Sequence, residues 1–444
     1  MAGDTHRPIF RYWLPWLLLF VITAFMFALW TPPFLYPDEP THLISCMERT
    51  NPAARESLEK HILSSMTEHD FWERVGVDFP SVQPDKFYQA PLLRIVPTQF
   101  SKPLLYYRIA GLILEKTGNQ DVLSALFILR GLGVFLTAIA AVFWGLIVVE
   151  VFPDSRWQAL AMSTMAVPQY VWMAGSVNAS ALAWISGNMM LLSALWLVRP
   201  ERRYAGWGLA LAASVLASVS HQAALPLLFV CVAGIILGRH RVQRHRVPWW
   251  TWSFIGIGSA CTFFLILVYK PVVIREYALR LTELFWGLRD SGAIPWNIPW
   301  LTRFLAGFVR SAILNFGWMS LEGPEWIYYV YGILSIAAIT GWICMLLRRK
   351  KPEMLRDGLQ AVILVIGMLT MFIASTVSFF LKGSLSQGRY LFPALPAFGV
   401  VMAAGLSGLV SKSWHRLTIT ISVSFLWGVV FWSLFHVLIK GFYF

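Results

Sequence analysis

Long apolar runs separated by short polar breaks dominate the chain, and most are about 20 residues, enough for an α-helix to cross roughly 30 Å of hydrocarbon. The first run occupies 12–30 and is followed by a long polar stretch, 31–101. Further runs lie at 122–149, 160–174, 177–198, 205–219, 223–237, 249–268, 327–347, 359–381, 390–409 and 417–438. The pattern predicts an all-α polytopic membrane protein, a single membrane domain over 1–444 with about eleven transmembrane helices. Region 103–116 is short and polar at its end, and fits a helix lying in the interface.

The stretch 31–101 reads as a long extracytoplasmic loop with an amphipathic patch at 54–69. The segment 270–320 is harder to place. Arg303 and Arg310 are seven residues apart and share one helical face, which predicts an outer-surface amphipathic segment. A full crossing there would put the basic residues from Arg348 onward on the outer side, against the positive-inside rule.

Composition supports this frame: 57% of residues are hydrophobic and 13% charged, with mean hydropathy +0.61. Trp and Tyr gather near the ends of runs, as at Trp249, Trp250 and Trp252, in the manner of interfacial belts. The net charge of +13 comes from clusters such as Arg199, Arg202 and Arg203 that cap apolar runs. It therefore reports topology and a lipid bilayer, and excludes nucleic acid as a partner. The first run follows Arg7 and Arg11 and ends in Trp30-Thr31-Pro32-Pro33 without a small-x-small site, so it reads as an uncleaved signal anchor. Cys231, Cys261 and Cys344 fall within runs and only Cys46 is in a polar segment, so neither a disulfide framework nor a zinc site is implied. No phosphate-binding glycine loop or dinucleotide fingerprint is present, and no cytoplasmic domain is evident to hold a nucleotide sugar.

Candidate chemistry begins at Pro37-Asp38-Glu39-Pro40-Thr41-His42, just past the first run. A carboxylate there can take the proton of an acceptor hydroxyl, and a second one can bind a divalent cation or a sugar. His42 is four residues on and reaches the same place if the segment is helical. The alternative is a solvated turn that caps the next helix. Lys102, Tyr106 and Tyr107 read either as a lipid-phosphate contact or as an interfacial anchor. Asn178 belongs to a polar turn, Gly175 to Ser180, whose default reading is helix capping. Arg389, in Gln387-Gly388-Arg389-Tyr390, falls on the outer side with Lys382, where an arginine needs either a phosphate or a carboxylate partner. Asn315-Phe316-Gly317-Trp318 reads as a ligand-contacting patch or an interfacial helix end.

One span, an acidic pair in a long outer loop and many later spans resemble the GT-C superfamily of membrane glycosyltransferases. More closely, the chain is similar to a bacterial multi-pass family with a PPDEPAH-like motif after the first span, a PLYY-like motif, an SVNNDAL-like turn and a QGRY element. The counterparts here are Tyr36 to His42, Pro103 to Tyr107, Ser176 to Leu182 and Gln387 to Tyr390, in the family's order. The resemblance implies a GT-C-like fold and transfer of a sugar from a polyprenyl-phosphate donor to a glycan, lipid or protein acceptor. The setting would be the outer face of a bacterial cytoplasmic (inner) membrane, with inversion at the sugar carbon as the expectation of a direct displacement. Asp38 would be the general base, supported by Glu39 and His42. Arg389, with Gln387, would meet the departing phosphate, and Lys102, Tyr106, Tyr107, Asn178, Lys382 and Tyr390 would complete the substrate site. Ser180 stands where that family often has an acid, which weakens the role of a second carboxylate, and a divalent cation stays open as a cofactor. The competing classes are a transporter or flippase, expected to carry ionisable groups at mid-membrane, and a glycan ligase or polymerase.

Overall fold

The computed structural model describes residues 12–49, 55–78, 84–90, 93, 104–118, 121–153, 156–220, 222–241, 298–347, 358–382 and 387–444. The run predicted at 249–268 and the part of 270–320 before residue 298 lie outside the described residues, as does Lys102.

The described chain is almost entirely helical. Helix α1 (Leu14–Trp30) leads into α2 (Glu39–Met47), α3 (Arg55–Glu68) and the single turn α4 (Phe71–Arg74), the last three within the predicted outer loop. Then come α5 (Leu104–Thr117), α6 (Val122–Val151), α7 (Trp157–Ser163), α8 (Pro168–Ala174) and α9 (Ser180–Leu197). Next are α10 (Arg203–Val219), α11 (Leu228–Arg241), α12 (Ile298–Ile313), α13 (Glu325–Leu347), α14 (Gly358–Lys382) and α15 (Leu395–Leu409). Helix α16 (His415–Trp432) runs through a π-helical stretch into α17 (Lys440–Tyr443). A short antiparallel hairpin, β1 (Asn315–Phe316) and β2 (Leu321–Glu322), separates α12 from α13.

Six helical stretches among the described residues are long and apolar enough to cross a membrane: 122–151, 180–197, 325–345, 358–376, 388–409 and 412–443. Leu14–Trp30 and Ala223–Gly238 are shorter apolar helices. Eleven crossings are therefore not reached among these residues, and one expected run is not a continuous helix. The run 160–174 is two buried helices, because Pro168 has no N–H to donate and holds Val167 extended (φ −93°, ψ 120°). The amphipathic patch at 54–69 and the short helix at 103–116 are present as α3 and α5.

Lipid-type surfaces are visible in single helices. Along α1, Leu14, Leu18, Ile22, Phe25 and Leu29 are exposed while Leu17, Phe20, Ala24, Phe27 and Ala28 are buried. Apolar residues on both faces suit a helix with protein on one side and hydrocarbon on the other. Helix α13 likewise exposes Ile333, Ile336, Ile339 and Ile343. Its other face meets α15 backbone to backbone: a Cβ on Gly341 would lie 1.8 Å from the Gly405 carbonyl oxygen, and one on Gly405 would lie 2.3 Å from that of Ala338. Small residues at such crossings let dispersion contacts act where no hydrophobic force exists between helices.

Gly341→Val is expected to destabilise the detergent-solubilised protein by about 1–3 kcal/mol through overpacking. Gly332→Ala on the same helix, where a Cβ meets nothing within 4 Å, should leave the thermal midpoint unchanged or raised. Equal midpoints for the two variants would contradict this helix crossing.

Candidate functional site

The site begins where α1 ends. Pro32 has no N–H, so the Ala28 carbonyl four residues earlier has no helical partner. The guanidinium of Arg130, on α6, supplies one: Nη1 donates to Ala28 O (3.0 Å) and Thr31 O (2.6 Å), and Nη2 donates to Pro32 O (2.9 Å). The same group grips Glu39 at the start of α2, with Nε to Oε1 at 2.9 Å and Nη2 to Oε2 at 2.8 Å. Both side chains are buried. The Tyr36 ring lies 4.8 Å from the guanidinium carbon and stacks on Trp172 at 4.8 Å. Trp172 in turn donates to the Thr31 hydroxyl at 3.1 Å, and Trp318, from the hairpin, donates to the Phe34 carbonyl at 3.0 Å. Burial pushes the Tyr36 phenol well above its ordinary value, so it stays neutral beside the ion pair.

Asp38 lies in the middle of this clamped stretch, with a left-handed backbone (φ 61°, ψ 9°) that side chains with a Cβ adopt rarely. Its carboxylate is not spent on capping α2. Oδ2 accepts from Arg389 Nη2 at 3.0 Å, and the Asp38 side chain keeps 31% exposure. Arg389 belongs to a 3-10 turn, Gly388–Ala394, seated on α12. The Gly388 N–H donates to Ser311 Oγ at 2.9 Å, and a Cβ on Gly388 would lie 2.3 Å from the Phe308 carbonyl oxygen, so only glycine allows this approach. The Tyr390 ring lies 5.8 Å from the Arg389 guanidinium carbon. Two buried polar atoms beside this pair have no hydrogen-bond partner among the described residues: Arg389 Nη1, a donor, and Gln387 Oε1, an acceptor. Buried orphans of this kind are costly and call for an explanation.

Helix α5 packs on α2 and supplies the next layer. Tyr107 Oη and His42 Nδ1 are 2.7 Å apart with their rings stacked, and both side chains are buried. Burial chiefly raises the Tyr107 phenol far above its usual range, and the nearby Asp38 charge adds to it. The Tyr106 hydroxyl faces the backbone of Asn178 without forming a hydrogen bond of acceptable geometry. The Asn178 side chain accepts from the Ser180 N–H at 2.8 Å, a local turn bond just ahead of α9.

The structure thus brings Asp38, Arg389, Gln387 and Tyr390 together, with His42, Tyr106, Tyr107 and Asn178 behind them. Lys382 ends α14 and its side chain is outside the described set. Glu39, expected to support Asp38, is closed from solvent with both oxygens bonded to Arg130. Among the described residues no group of three or more His, Cys, Asp or Glu side chains is placed to hold a metal ion. Arg130 was the residue missed from the sequence: it sits inside an apolar helix of 30 residues, and a charge at that depth was the available signal.

Residues 94–398 match a family described as predicted membrane protein (DUF2142), about two thirds of the chain. The chain belongs to this family. The matched part includes Arg130, Gln387 and Arg389, while Asp38 and Glu39 precede it. Comparison with curated proteins returns no match. Among solved structures the chain is similar to apo ArnT from Cupriavidus metallidurans, at 14% identity and a TM-score of 0.45. That superposition covers 92% of this chain and 62% of the other, too loose to carry an argument about function. As a member of this family with its apolar helices, the protein is an integral membrane protein.

Tyr107→Phe removes the hydroxyl bonded to the buried His42 Nδ1 and should cost about 1–3 kcal/mol in thermal unfolding. Tyr106→Phe, which removes a hydroxyl that already lacks a partner, should be neutral or stabilising. The reverse order of midpoints would contradict the hydrogen-bond assignment.

Proposed function

We propose that this protein is a glycosyltransferase that moves a sugar from a polyprenyl-phosphate donor to an acceptor hydroxyl at the extracytoplasmic face of a bacterial cytoplasmic membrane. The observation that carries the reading is the partly exposed Asp38 carboxylate held 3.0 Å from Arg389, whose second terminal nitrogen is buried and unpartnered. A base beside a cation with an empty donor position matches the needs of this transfer. Asp38 takes the acceptor proton as the acceptor oxygen forms its bond to the anomeric carbon. The bond from that carbon to the phosphate oxygen breaks, and the electron pair leaves on the phosphate, where Arg389 meets the growing charge. Attack opposite the leaving group inverts the sugar carbon.

The remaining orphan fits the same picture. A phosphate has no hydrogen to give, so the Gln387 carbonyl oxygen suits a hydroxyl of the donor sugar instead. Tyr107 and His42 fill the wall behind Asp38, and the neutral phenol adds no competing charge.

In membranes supplied with lipid-linked sugar, Asp38→Asn should keep donor binding and lose transfer by about 10²–10⁴-fold, the span of a general base. Arg389→Gln should weaken donor binding as well as transfer. Undiminished transfer by Asp38→Asn overturns the base assignment. Movement of intact lipid-linked sugar across the bilayer, with no transfer by the unmodified protein, would instead make it a transporter.

A further inference from the structure

We infer that Arg130 is a positioning residue for Asp38: its guanidinium, through Glu39 and the end of α1, holds the Asp38 carboxylate in the place where it meets Arg389. This role deepens the proposed function and rests on it for the chemistry of Asp38, while the geometry of the clamp stands by itself.

A guanidinium has five N–H bonds in a fixed plane, and all five of Arg130 are used: two on Glu39 and three on the carbonyls of Ala28, Thr31 and Pro32. Its faces are covered as well, by Tyr36 at 4.8 Å and Phe127 at 5.2 Å. No N–H of Arg130 is therefore left for a ligand. These contacts fall on both sides of Asp38, with Tyr36 two residues before it and Glu39 one after. Asp38 itself sits at φ 61°, a left-handed conformation that Asp tolerates better than most residues with a Cβ and that its clamped neighbours fix here. Releasing either neighbour lets that backbone relax and swings the carboxylate away.

Arg389 is held by other means. Its turn is fixed on α12 through Gly388 and Ser311, and no contact joins it to Arg130 among the described residues. Loosening Arg130 thus moves one member of the Asp38–Arg389 pair and leaves the other. The kinetic signature follows: turnover falls while donor affinity, which depends on Arg389, is kept. A residue that merely stabilises the fold would lower the amount of folded protein and leave the turnover of the folded fraction alone.

The test compares the unmodified full-length protein in nanodiscs with the neutral double variant Glu39→Gln/Arg130→Gln and with Arg130→Lys. The double variant leaves no unpaired buried charge, and the lysine keeps the charge without the planar fork. On the monodisperse, cooperatively unfolding fraction, kcat should fall by about 100-fold, the penalty for an ångström-scale misplacement, with the donor KM within about threefold of the unmodified value. Activity-independent proximity is read by placing Asp38→Cys and Arg389→Cys in each background. A short bifunctional thiol cross-linker then joins them, and the 38–389 peptide is quantified by mass spectrometry. Its yield should drop at least about threefold in the clamp variants. Unchanged kcat and unchanged cross-linking in the folded double variant overturn the inference. If the double variant does not fold, Arg130→Lys is measured in the same two ways: a fall in both supports the clamp, and no change in either overturns it. Lost cross-linking with no transfer by any protein, the unmodified one included, supports the clamp and overturns only the glycosyl-transfer reading.

Discussion

The buried ion pair between Glu39 and Arg130 is the constraint on which the rest of the site depends. Removing two charges from water costs several kcal/mol each, and their attraction offsets that only with good geometry and no bare lone pairs or protons. Here the fork is bidentate and the remaining three N–H bonds end on peptide carbonyls, one of them orphaned by Pro32. The pair therefore ties α1, α2 and α6 at one point. Loss of either partner would leave an uncompensated buried charge, the situation that costs about 3–5 kcal/mol.

A second carboxylate and guanidinium lie close by with the same chemistry and a different degree of completion. Asp38 and Arg389 meet at 3.0 Å, Asp38 is partly exposed, and Arg389 Nη1 has no partner. Saturation separates the two pairs. The Arg130 network is closed, whereas the Arg389 guanidinium keeps one buried N–H donor unused among the described residues. The one-residue offset between Asp38 and Glu39 assigns them to different networks because the left-handed backbone at Asp38 turns adjacent side chains apart.

Much irregular backbone is enclosed, and its polar groups need partners. Non-helical backbone at membrane depth is tolerated only inside protein, where its polar groups find partners. The stretch between α1 and α2 gives its carbonyls to Arg130 and Trp318. The break between α7 and α8 is buried, and the 3-10 turn carrying Arg389 donates to Ser311. The described outer surfaces of α1 and α13, by contrast, are regular and apolar.

The sequence by itself determined the membrane class and most helix positions, because run length against hydrocarbon thickness and the period of 3.6 are local properties. It also singled out Asp38 and Arg389, since charges bordered by long apolar runs are conspicuous. Hydropathy alone made 160–174 one span, outweighing the proline that splits it. Spacing alone made Asp38 and Glu39 one unit, although their partners lie 351 and 91 residues away. Which carboxylate is sealed and which is open depends on where α6 and the turn after α14 come to rest. That is a matter of long-range packing, and spacing along the chain carries no record of it; only the tertiary structure decided it.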